Sequence, residues 1–235
     1  MEKLIGLLTA TKSEEDAVRE VLEQPELCGE GAGLTFVRGR LGGRPVVTVR
    51  AGIGKVNAAL CTQMLIDRFR PAGIINVGAA GALNPSLHIG DVVISRNAVQ
   101  HDFDTTFFGD EPGLIPGLNL VQISADETLA AAAEEACRQS GIPCCPGVIA
   151  SGDQFIAGEE EKKRIREQFG GDCAEMEGGA VAQVCRLNGV PFVILRAISD
   201  GAGQDAVMQY EEFSALAARQ AVKILEYMLS HGENL

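Results

Sequence analysis

The stretch Pro191-Phe192-Val193-Ile194-Leu195-Arg196-Ala197-Ile198-Ser199-Asp200 decides how the rest of the chain is interpreted. Its five leading apolar residues predict a buried strand. Ligands of open α/β sheets collect beyond the carboxyl ends of the strands, so Asp200 falls where chemistry is usually done. A plainer interpretation stays open at this point, in which Asp200 caps a turn with Gly201 and Arg196 is its surface partner.

A second acidic stretch lies upstream and reads Ala174-Glu175-Met176-Glu177-Gly178-Gly179-Ala180. Apolar residues at helical spacing follow it, so two carboxylates sit at a predicted strand-to-helix junction. The exposed amides and the dipole of a helix start favour negative charge there. Helix capping alone needs one carboxylate. The second acid, Met176 and two glycines that let the backbone approach a ligand favour a binding site.

Composition limits the class of protein. A chain of 235 residues with 46% hydrophobic content can bury one sizeable core, which favours a single domain over residues 1–235. The apolar run from Leu4 to Ala10 is followed at once by charged residues, so it predicts a first strand rather than a signal peptide. No stretch is long enough to cross a bilayer. A cytoplasmic protein is expected.

The charge pattern argues against nucleic acid as a partner. The net charge is −12, and the one basic cluster, Lys162, Lys163, Arg164 and Arg166, directly follows three glutamates. That pattern is typical of a solvated helix with opposite charges along it.

Cysteines and histidines give no sign of a metal site. The seven cysteines are odd in number and contain no Cys-x-x-Cys pair, so reduced and mostly buried thiols are expected. His88, His101 and His231 are too dispersed for metal binding or for a serine–histidine arrangement. The chemistry is therefore expected to depend on carboxylates.

Strand and helix signals alternate along the chain. Strands are expected over 3–10, 33–41, 44–51, 72–77, 90–95, 144–150 and 191–195, with a Gly42-Gly43 hairpin between the second and third. Helices are expected from an N-cap at Ser13 to Leu22, over 55–69, from a capping box at Ser124 to 139, over 159–169 and over 210–229. This order predicts an α/β fold with a mixed sheet between helices.

Two further segments are candidates for ligand or subunit contact. Gly52-Ile53-Gly54-Lys55 follows a strand but lacks the third glycine of a dinucleotide fingerprint and the spacing of a P-loop, so NAD and nucleoside triphosphates are poorly supported. The long loop from Gln100 to Gly117 holds three of the nine phenylalanines. Aromatic residues in such a loop indicate a lid or a subunit interface.

Five motifs in this order resemble the purine nucleoside phosphorylase superfamily, and within it the family of methylthioadenosine/S-adenosylhomocysteine nucleosidases. Two are the acidic stretches above. The others are Gly52-Ile53-Gly54-Lys55, Gly78-Ala79-Ala80-Gly81 and Ser151-Gly152-Asp153-Gln154-Phe155-Ile156. The resemblance covers nearly the whole chain. It implies a three-layer α/β/α sandwich, usually a homodimer, that hydrolyses the bond between adenine and a 5′-thio-substituted ribose without a cofactor.

The resemblance also implies roles by position. Asp200 would protonate the leaving purine with help from Ser199, and Glu14 would activate water near Arg196. Glu177, beside Glu175, would hold the ribose hydroxyls, with Met176 under the sugar. The purine would stack on Phe155 and meet the Ile156 backbone, and Ile53 would lie beside the 5′ substituent. The loop of a partner subunit would supply Phe108 and Pro116.

The chain departs from the family pattern at two places. Ala79 stands where a serine is common, and Thr11-Lys12-Ser13 replaces a methionine with acidic neighbours before Glu14. Other functions stay open. A phosphorylase would need a cationic phosphate cradle, and that branch carries arginine where this chain has Asn76. Futalosine hydrolysis or non-catalytic nucleoside binding are the remaining alternatives.

Overall fold

The computed structural model describes residues 2–200 and 206–232, with side chains described throughout except at 206–212. Its strands are β1 (Ile5–Thr9), β2 (Glu23–Gly31), β3 (Leu34–Leu41), β4 (Arg44–Arg50), β5 (Gly73–Ala82), β6 (Val92–Gln100), β7 (Gln122–Ser124), β8 (Cys144–Ser151), β9 (Cys173–Glu175) and β10 (Phe192–Asp200). Its helices are α1 (Lys12–Glu20), α2 (Lys55–Phe69), α3 (Glu127–Ser140), α4 (Glu159–Phe169), α5 (Gly178–Asn188) and α6 (Ala206–His231), with a 3-10 turn at Thr106–Phe108.

The strands form one mixed sheet in the order β10-β6-β8-β9-β5-β1-β4-β3-β2, with β7 on β6. Strand β10 also pairs with β5, so five strands close into a ring. The neighbours β1, β5 and β10 are parallel, and their carboxyl ends therefore meet at one edge. The short strand β9 joins β5 there at Gly81 and Ala82. Four strand ends thus converge on one place.

Helices cover both faces of the sheet. Because successive side chains of a strand point to opposite faces, Leu7 and Leu8 enter different cores. Leu7 packs in the core with helices α1, α3 and α6, and Leu8 packs in the core with α2 and α5. A smaller third cluster beside α4 includes Ile165 and Phe169. The predicted three-layer α/β/α arrangement is confirmed.

Two hairpins at the sheet margin differ in how visible they are in the sequence. Gly42 and Gly43 both have positive φ angles, and so do Ala32 and Gly33, as the tight two-residue turns of hairpins require. The sequence predicts the hairpin at Gly42-Gly43. It does not predict strand β2, because β2 is a mostly exposed edge strand without apolar alternation, where even Pro25 is tolerated.

Two helices begin at a different cap from the expected one. The N-cap of α1 is Thr11 rather than Ser13, and Thr11 and Glu14 form a reciprocal capping box. The N-cap of α3 is Asp126, whose carboxylate accepts the Leu129 amide at 2.9 Å. Ser124 instead ends β7, and its hydroxyl binds Asn97. The sequence holds several good capping residues in each case, and strand pairing decides which one starts the helix.

Three strands, β5, β6 and β10, are longer than expected, and one helix buries a charge that was expected in solvent. Strand β5 runs on through Gly78–Ala82, so this small-residue segment is strand rather than turn. Strand β6 continues to Gln100. On α4, Lys162 is buried, unlike its neighbour Lys163, because it shares the inward face with Ile165.

All seven cysteines are free thiols. In the part of the chain that the structure describes, none of the helices has both the length and the apolar character that crossing a membrane requires.

Candidate active site

A cavity of about 150 Å³ lies where the ends of β1, β5, β9 and β10 converge. It brings together eight residues singled out in the sequence, namely Glu14, Ile53, Ala79, Phe155, Glu175, Met176, Glu177 and Asp200. Thr11 completes part of the wall beside Glu14. Larger depressions exist on the surface, and this cavity brings together four acidic side chains, Glu14, Glu175, Glu177 and Asp200.

Glu175 and Arg196 form a fully buried ion pair behind the cavity. The guanidinium donates to Glu175 through both Nε and Nη2. It also binds Asn76, whose side-chain oxygen accepts from Nη2 at 2.6 Å and whose amide donates to the Leu8 carbonyl at 3.0 Å. Arg196 is therefore held by the protein itself. Its distance to the nearest Glu177 oxygen is 3.9 Å.

The Glu175 carboxylate also caps helix α5. It accepts the amides of Glu177 and Gly178, the latter at 2.7 Å, and the hydroxyl of Ser151. That hydroxyl accepts the Gly179 amide in turn. This differs from the expectation that both carboxylates of the motif face a ligand, because helix amides and the guanidinium occupy Glu175.

The two glycines of the motif serve packing rather than ligand approach. A side-chain carbon at Gly178 would lie 2.9 Å from Ile194 and 3.2 Å from the Glu175 carboxylate oxygens. At Gly179 it would lie 2.9 Å from Ser151. Glycine therefore allows the helix start to sit directly on the sheet.

Backbone amides orient the Glu14 carboxylate at the opposite wall. One of its oxygens accepts the amides of Ala10 and Thr11, both at 2.9 Å. The other accepts the Ala79 amide at 3.2 Å, which joins the end of β1 to the end of β5. A side-chain carbon at Gly78 would lie 3.0 Å from this carboxylate, which would have to move by a few tenths of an ångström to accept it.

Glu177 precedes α5 and points its carboxylate toward the glycine turn before α2. One oxygen accepts the Gly54 amide at 2.9 Å. Burial raises the pKa of Glu177 to about 7, and the charge of Glu175 adds to the rise, while Arg196 and the Gly54 amide oppose it. Glu177 is therefore a carboxyl group that gains or loses its proton near neutral pH.

Asp200 ends β10 in a nearly complete enclosure. Its Oδ1 accepts the Ser199 hydroxyl at 2.9 Å. Its Oδ2 has no hydrogen-bond partner among the described residues and lies 3.9 Å from the Lys162 ammonium. Burial raises the pKa of Asp200, against the lowering effects of Ser199 and Lys162. A side-chain carbon at Gly81 would lie 2.8 Å from Oδ2.

A polar network that sequence reasoning did not single out holds the glycine turn. Asp153 accepts the Lys55 amide at 2.7 Å, and Asp102 accepts the Asp153 amide at 2.8 Å. Asp102 also pairs with the Lys55 ammonium. The network fixes the backbone whose Gly54 amide binds Glu177. Lys55 and Asp153 belong to the quoted motifs, but only the fold brings them together with Asp102.

The apolar site candidates differ in exposure. Phe155 and Ile53 are exposed at the mouth of the cavity, whereas the Ile156 side chain is buried in the third core cluster. Ser199 lies behind Asp200. Phe108 and Pro116 are exposed on the loop after β6 and do not line the cavity within this chain.

Comparison with known proteins agrees with the arrangement of these motifs. The model of the phosphorylase superfamily matches residues 4–230. A 5′-methylthioadenosine/S-adenosylhomocysteine nucleosidase of Geobacillus kaustophilus is 44% identical, over 92% of this chain and 93% of its own length. The chain belongs to this nucleosidase family. A member from Treponema pallidum is 43% identical over 92% of this chain and 89% of its own length.

Solved structures similar to this nucleosidase family member include complexes and one protein of different activity. The Neisseria meningitidis nucleosidase with methylthio-immucillin-A has a TM-score of 0.92 and 35% identity, covering 97% of this chain and 99% of that one. The Colwellia psychrerythraea nucleosidase with adenine has a TM-score of 0.92 and 38% identity, covering 97% and 95%. The futalosine hydrolase of Helicobacter pylori has a TM-score of 0.91 and 34% identity, covering 97% of both chains.

Proposed function

We propose that this protein hydrolyses the N-glycosidic bond of 5′-methylthioadenosine and S-adenosylhomocysteine, releasing adenine and the 5-substituted ribose. The observation that carries the proposal is the meeting of Glu14, Glu177 and Asp200 around one cavity. Bond cleavage makes the purine basic and the sugar positively charged, so the reaction needs a proton donor on one side and negative charge on the other. The logic is that of a glycosidase.

Asp200 is the acid in this scheme. It gives its proton to a purine nitrogen as the bond between N9 and C1′ breaks. The electron pair of that bond passes to adenine. The raised pKa of this carboxyl supports the role, because a general acid must hold its proton near the working pH. Ser199 orients the group. Phe155 stacks on the purine, and the Ile156 backbone contacts the purine edge.

Glu14 is the base that takes a proton from water as the water oxygen bonds to C1′. Three backbone amides orient the Glu14 carboxylate at the cavity wall, and this orientation supports its role as the base. Glu177 holds the ribose hydroxyls and Met176 lies under the sugar. Ile53 borders the 5′ substituent. Arg196 and Glu175 act behind these groups, since the pair fixes the start of α5.

Water suits this cavity better than phosphate as the nucleophile. Several carboxylates already line the walls, and like charges repel strongly where water is excluded. A phosphate dianion would need unoccupied cationic donors. Arg196 is bound to Glu175 and Asn76, and Asn76 itself carries no charge. These contacts disfavour the phosphorylase alternative.

The test is release of the free purine base from methylthioadenosine, S-adenosylhomocysteine, 5′-deoxyadenosine and futalosine, with and without millimolar phosphate. We expect free adenine and free thioribose at equal rates in both buffers. A ribose 1-phosphate product, or a rate that rises with phosphate, would overturn the hydrolase assignment. Release of hypoxanthine from futalosine at a higher kcat/KM than adenine from methylthioadenosine would instead favour futalosine hydrolysis. Stoichiometric binding of a nucleoside without turnover would identify the protein as a non-catalytic nucleoside-binding protein.

We also propose that the protein works as a homodimer in which the loop of each partner completes the other's pocket through Phe108 and Pro116. The cavity of about 150 Å³ is smaller than the usual lower limit of about 300 Å³ for ligand pockets. Phe107 and Phe108 are 94% and 80% exposed. Val56 and Leu60 add an exposed apolar face on α2. Such exposure is typical of an interface.

Sedimentation and dilution assays test the dimer. Leu60→Glu should produce monomers, because a charge in an apolar interface is costly, and it should weaken binding of methylthioadenosine. Leu27→Glu, at an exposed apolar residue of β2, is the matched control and should leave the dimer intact. A monomeric variant with full substrate affinity would refute the shared pocket.

The remaining expectations belong to this proposal as well. The chain acts as one nucleosidase domain, without cofactor, in the cytoplasm. The free cysteines support a reducing compartment. Fractionation of cells that produce the tagged protein checks the location.

A further inference from the structure

Lys162 on α4 is a buried cation that the proposed mechanism has not used. Its side chain is 3% exposed, and its ammonium lies 3.9 Å from Oδ2 of Asp200, whose side chain is 2% exposed. Oδ1 of Asp200 is occupied by Ser199, so Oδ2 is the oxygen left to carry the proton. The lysine therefore faces the oxygen on which the acid step depends.

The fold holds the lysine in this place. Ile165 and Phe169 follow Lys162 on the inward face of α4 and are buried in the third core cluster. Gly81 has no side chain that would fill the space next to Asp200 Oδ2. Burying an ammonium group is costly unless an opposite charge compensates it. Asp200 provides that charge in its ionised form, which the acid step produces.

We propose that Lys162 is a positioning residue for the acid step and stabilises the carboxylate that Asp200 becomes when its proton passes to adenine. The proposal rests on the proposed function. As the bond between N9 and C1′ breaks, the proton leaves Asp200 and a negative charge appears beside the ammonium. Burial lowers the pKa of Lys162 and the charge of Asp200 opposes this, so the role requires an ammonium that keeps its proton during the step. The opposite charge makes Asp200 a stronger acid than burial alone would leave it.

The surrounding charges show why such a cation is useful. Among the described residues, Glu14 on α1 and Glu177 before α5 line the same cavity as Asp200, and Glu159 on α4 lies near the lysine. Carboxylates that share a cavity oppose a further negative charge there. Burial acts in the same direction on Asp200. Lys162 offsets both effects and keeps proton release possible.

The test is the pH profile of kcat/KM in Lys162→Met. Without the cation, Asp200 holds its proton more tightly, so the fall in activity on the basic side should move up by about one pH unit. At low pH, kcat should drop by about 3- to 10-fold, because a weaker acid transfers its proton less readily. Lys162→Arg keeps the charge and should restore the position of the basic limb. A purely structural lysine would leave that limb unmoved.

Lys163→Met is the matched control, since it removes the same charge one residue away on the exposed face of α4. Its basic limb should stay in place. Lys162→Gln provides a second variant if the Lys162→Met protein fails to fold. Calorimetric binding of adenine at several pH values reports the proton affinity of the site without turnover, and its pH dependence should shift upward with the limb.

The outcomes separate this inference from the proposed function. Unshifted profiles in both the Lys162→Gln kinetics and the adenine titrations, together with an inactive Asp200→Asn, would refute the role of Lys162 and leave the mechanism standing. Full turnover of Asp200→Asn would refute the acid itself, whatever Lys162 does.

Discussion

Glu175 and Asp200 are two buried carboxylates in one site, and their surroundings are opposite. Glu175 binds a guanidinium, a hydroxyl and two helix amides, with Arg196 donating twice. Among the described residues, Asp200 accepts one hydrogen bond, from Ser199, and the Lys162 ammonium lies 3.9 Å away. The two carboxylates are thus equally buried, but Glu175 has more hydrogen-bond donors around it than Asp200 among the described residues.

This difference suits Glu175 to stabilising the fold and Asp200 to proton transfer. A buried carboxylate whose oxygens all accept hydrogen bonds is held rigidly, and removing it leaves its buried partners unpaired. A carboxyl group with an unused oxygen keeps a raised pKa and can exchange a proton with a ligand. We expect substitutions at the two positions to affect different properties.

The largest expected effect is on turnover. Asp200→Asn should lose about 100- to 10,000-fold in kcat, because the amide cannot donate the acid's proton. The variant should still fold, because the amide oxygen can accept the Ser199 hydroxyl, but its stability should fall because Lys162 loses the charge that ionised Asp200 provides. Rates of adenine release and thermal unfolding of the same preparation check both statements. Near-normal turnover would exclude Asp200 as the acid.

The next effect is on stability. Glu175→Gln should lower the free energy of unfolding by about 3–5 kcal/mol, because Arg196 would remain buried with its nearest carboxylate, Glu177, 3.9 Å away. Glu15→Gln is a matched control, since its arginine partners are partly exposed, and it should cost about 1 kcal/mol or less. Urea unfolding measures both. Equal losses in the two variants would contradict the contrast between the buried and the exposed pair.

The raised pKa of Glu177 predicts that the free energy of unfolding depends on pH. Its pKa is about 7 in the folded protein, above the ordinary value of 4.5. The folded state therefore binds more protons than the unfolded state between these values, and stability falls as pH rises through this window. Glu177→Gln should remove a decline on the order of 2–3 kcal/mol between pH 4.5 and 7. Chemical unfolding at several pH values is the measurement. A decline of the same size in the variant would assign it to other groups.

The smallest expected effect concerns Ala79, which borders the cavity beside Glu14. Ala79→Ser should lower KM for methylthioadenosine by about 2- to 10-fold, because one added hydrogen bond contributes about 0.5–1.5 kcal/mol. Binding of free adenine, which lacks the ribose, serves as the internal control and should not change. An equal gain for adenine would place the hydroxyl away from the sugar.

The sequence by itself determined the layered fold and the family. Alternating strand and helix signals predicted the mixed sheet between helices, and the ordered motifs identified the nucleosidases. Local patterns are sufficient there, because apolar periodicity reflects burial on one or two faces. The exposed strand β2 has no such pattern, and pairing with β3 alone makes it a strand.

Only the tertiary structure decided what each charged side chain does. Glu175 and Glu177 are two residues apart in one motif, yet the first is bound by α5 amides and Arg196, and the second meets Gly54 from a distant turn. Lys162 belongs to a cluster that reads as solvent-exposed, and its inward position beside Ile165 was a usable signal. A residue's type and spacing predict where a charge can sit. Its function depends on partners that are far apart in the sequence, because burial and pairing are set by the packing of whole elements.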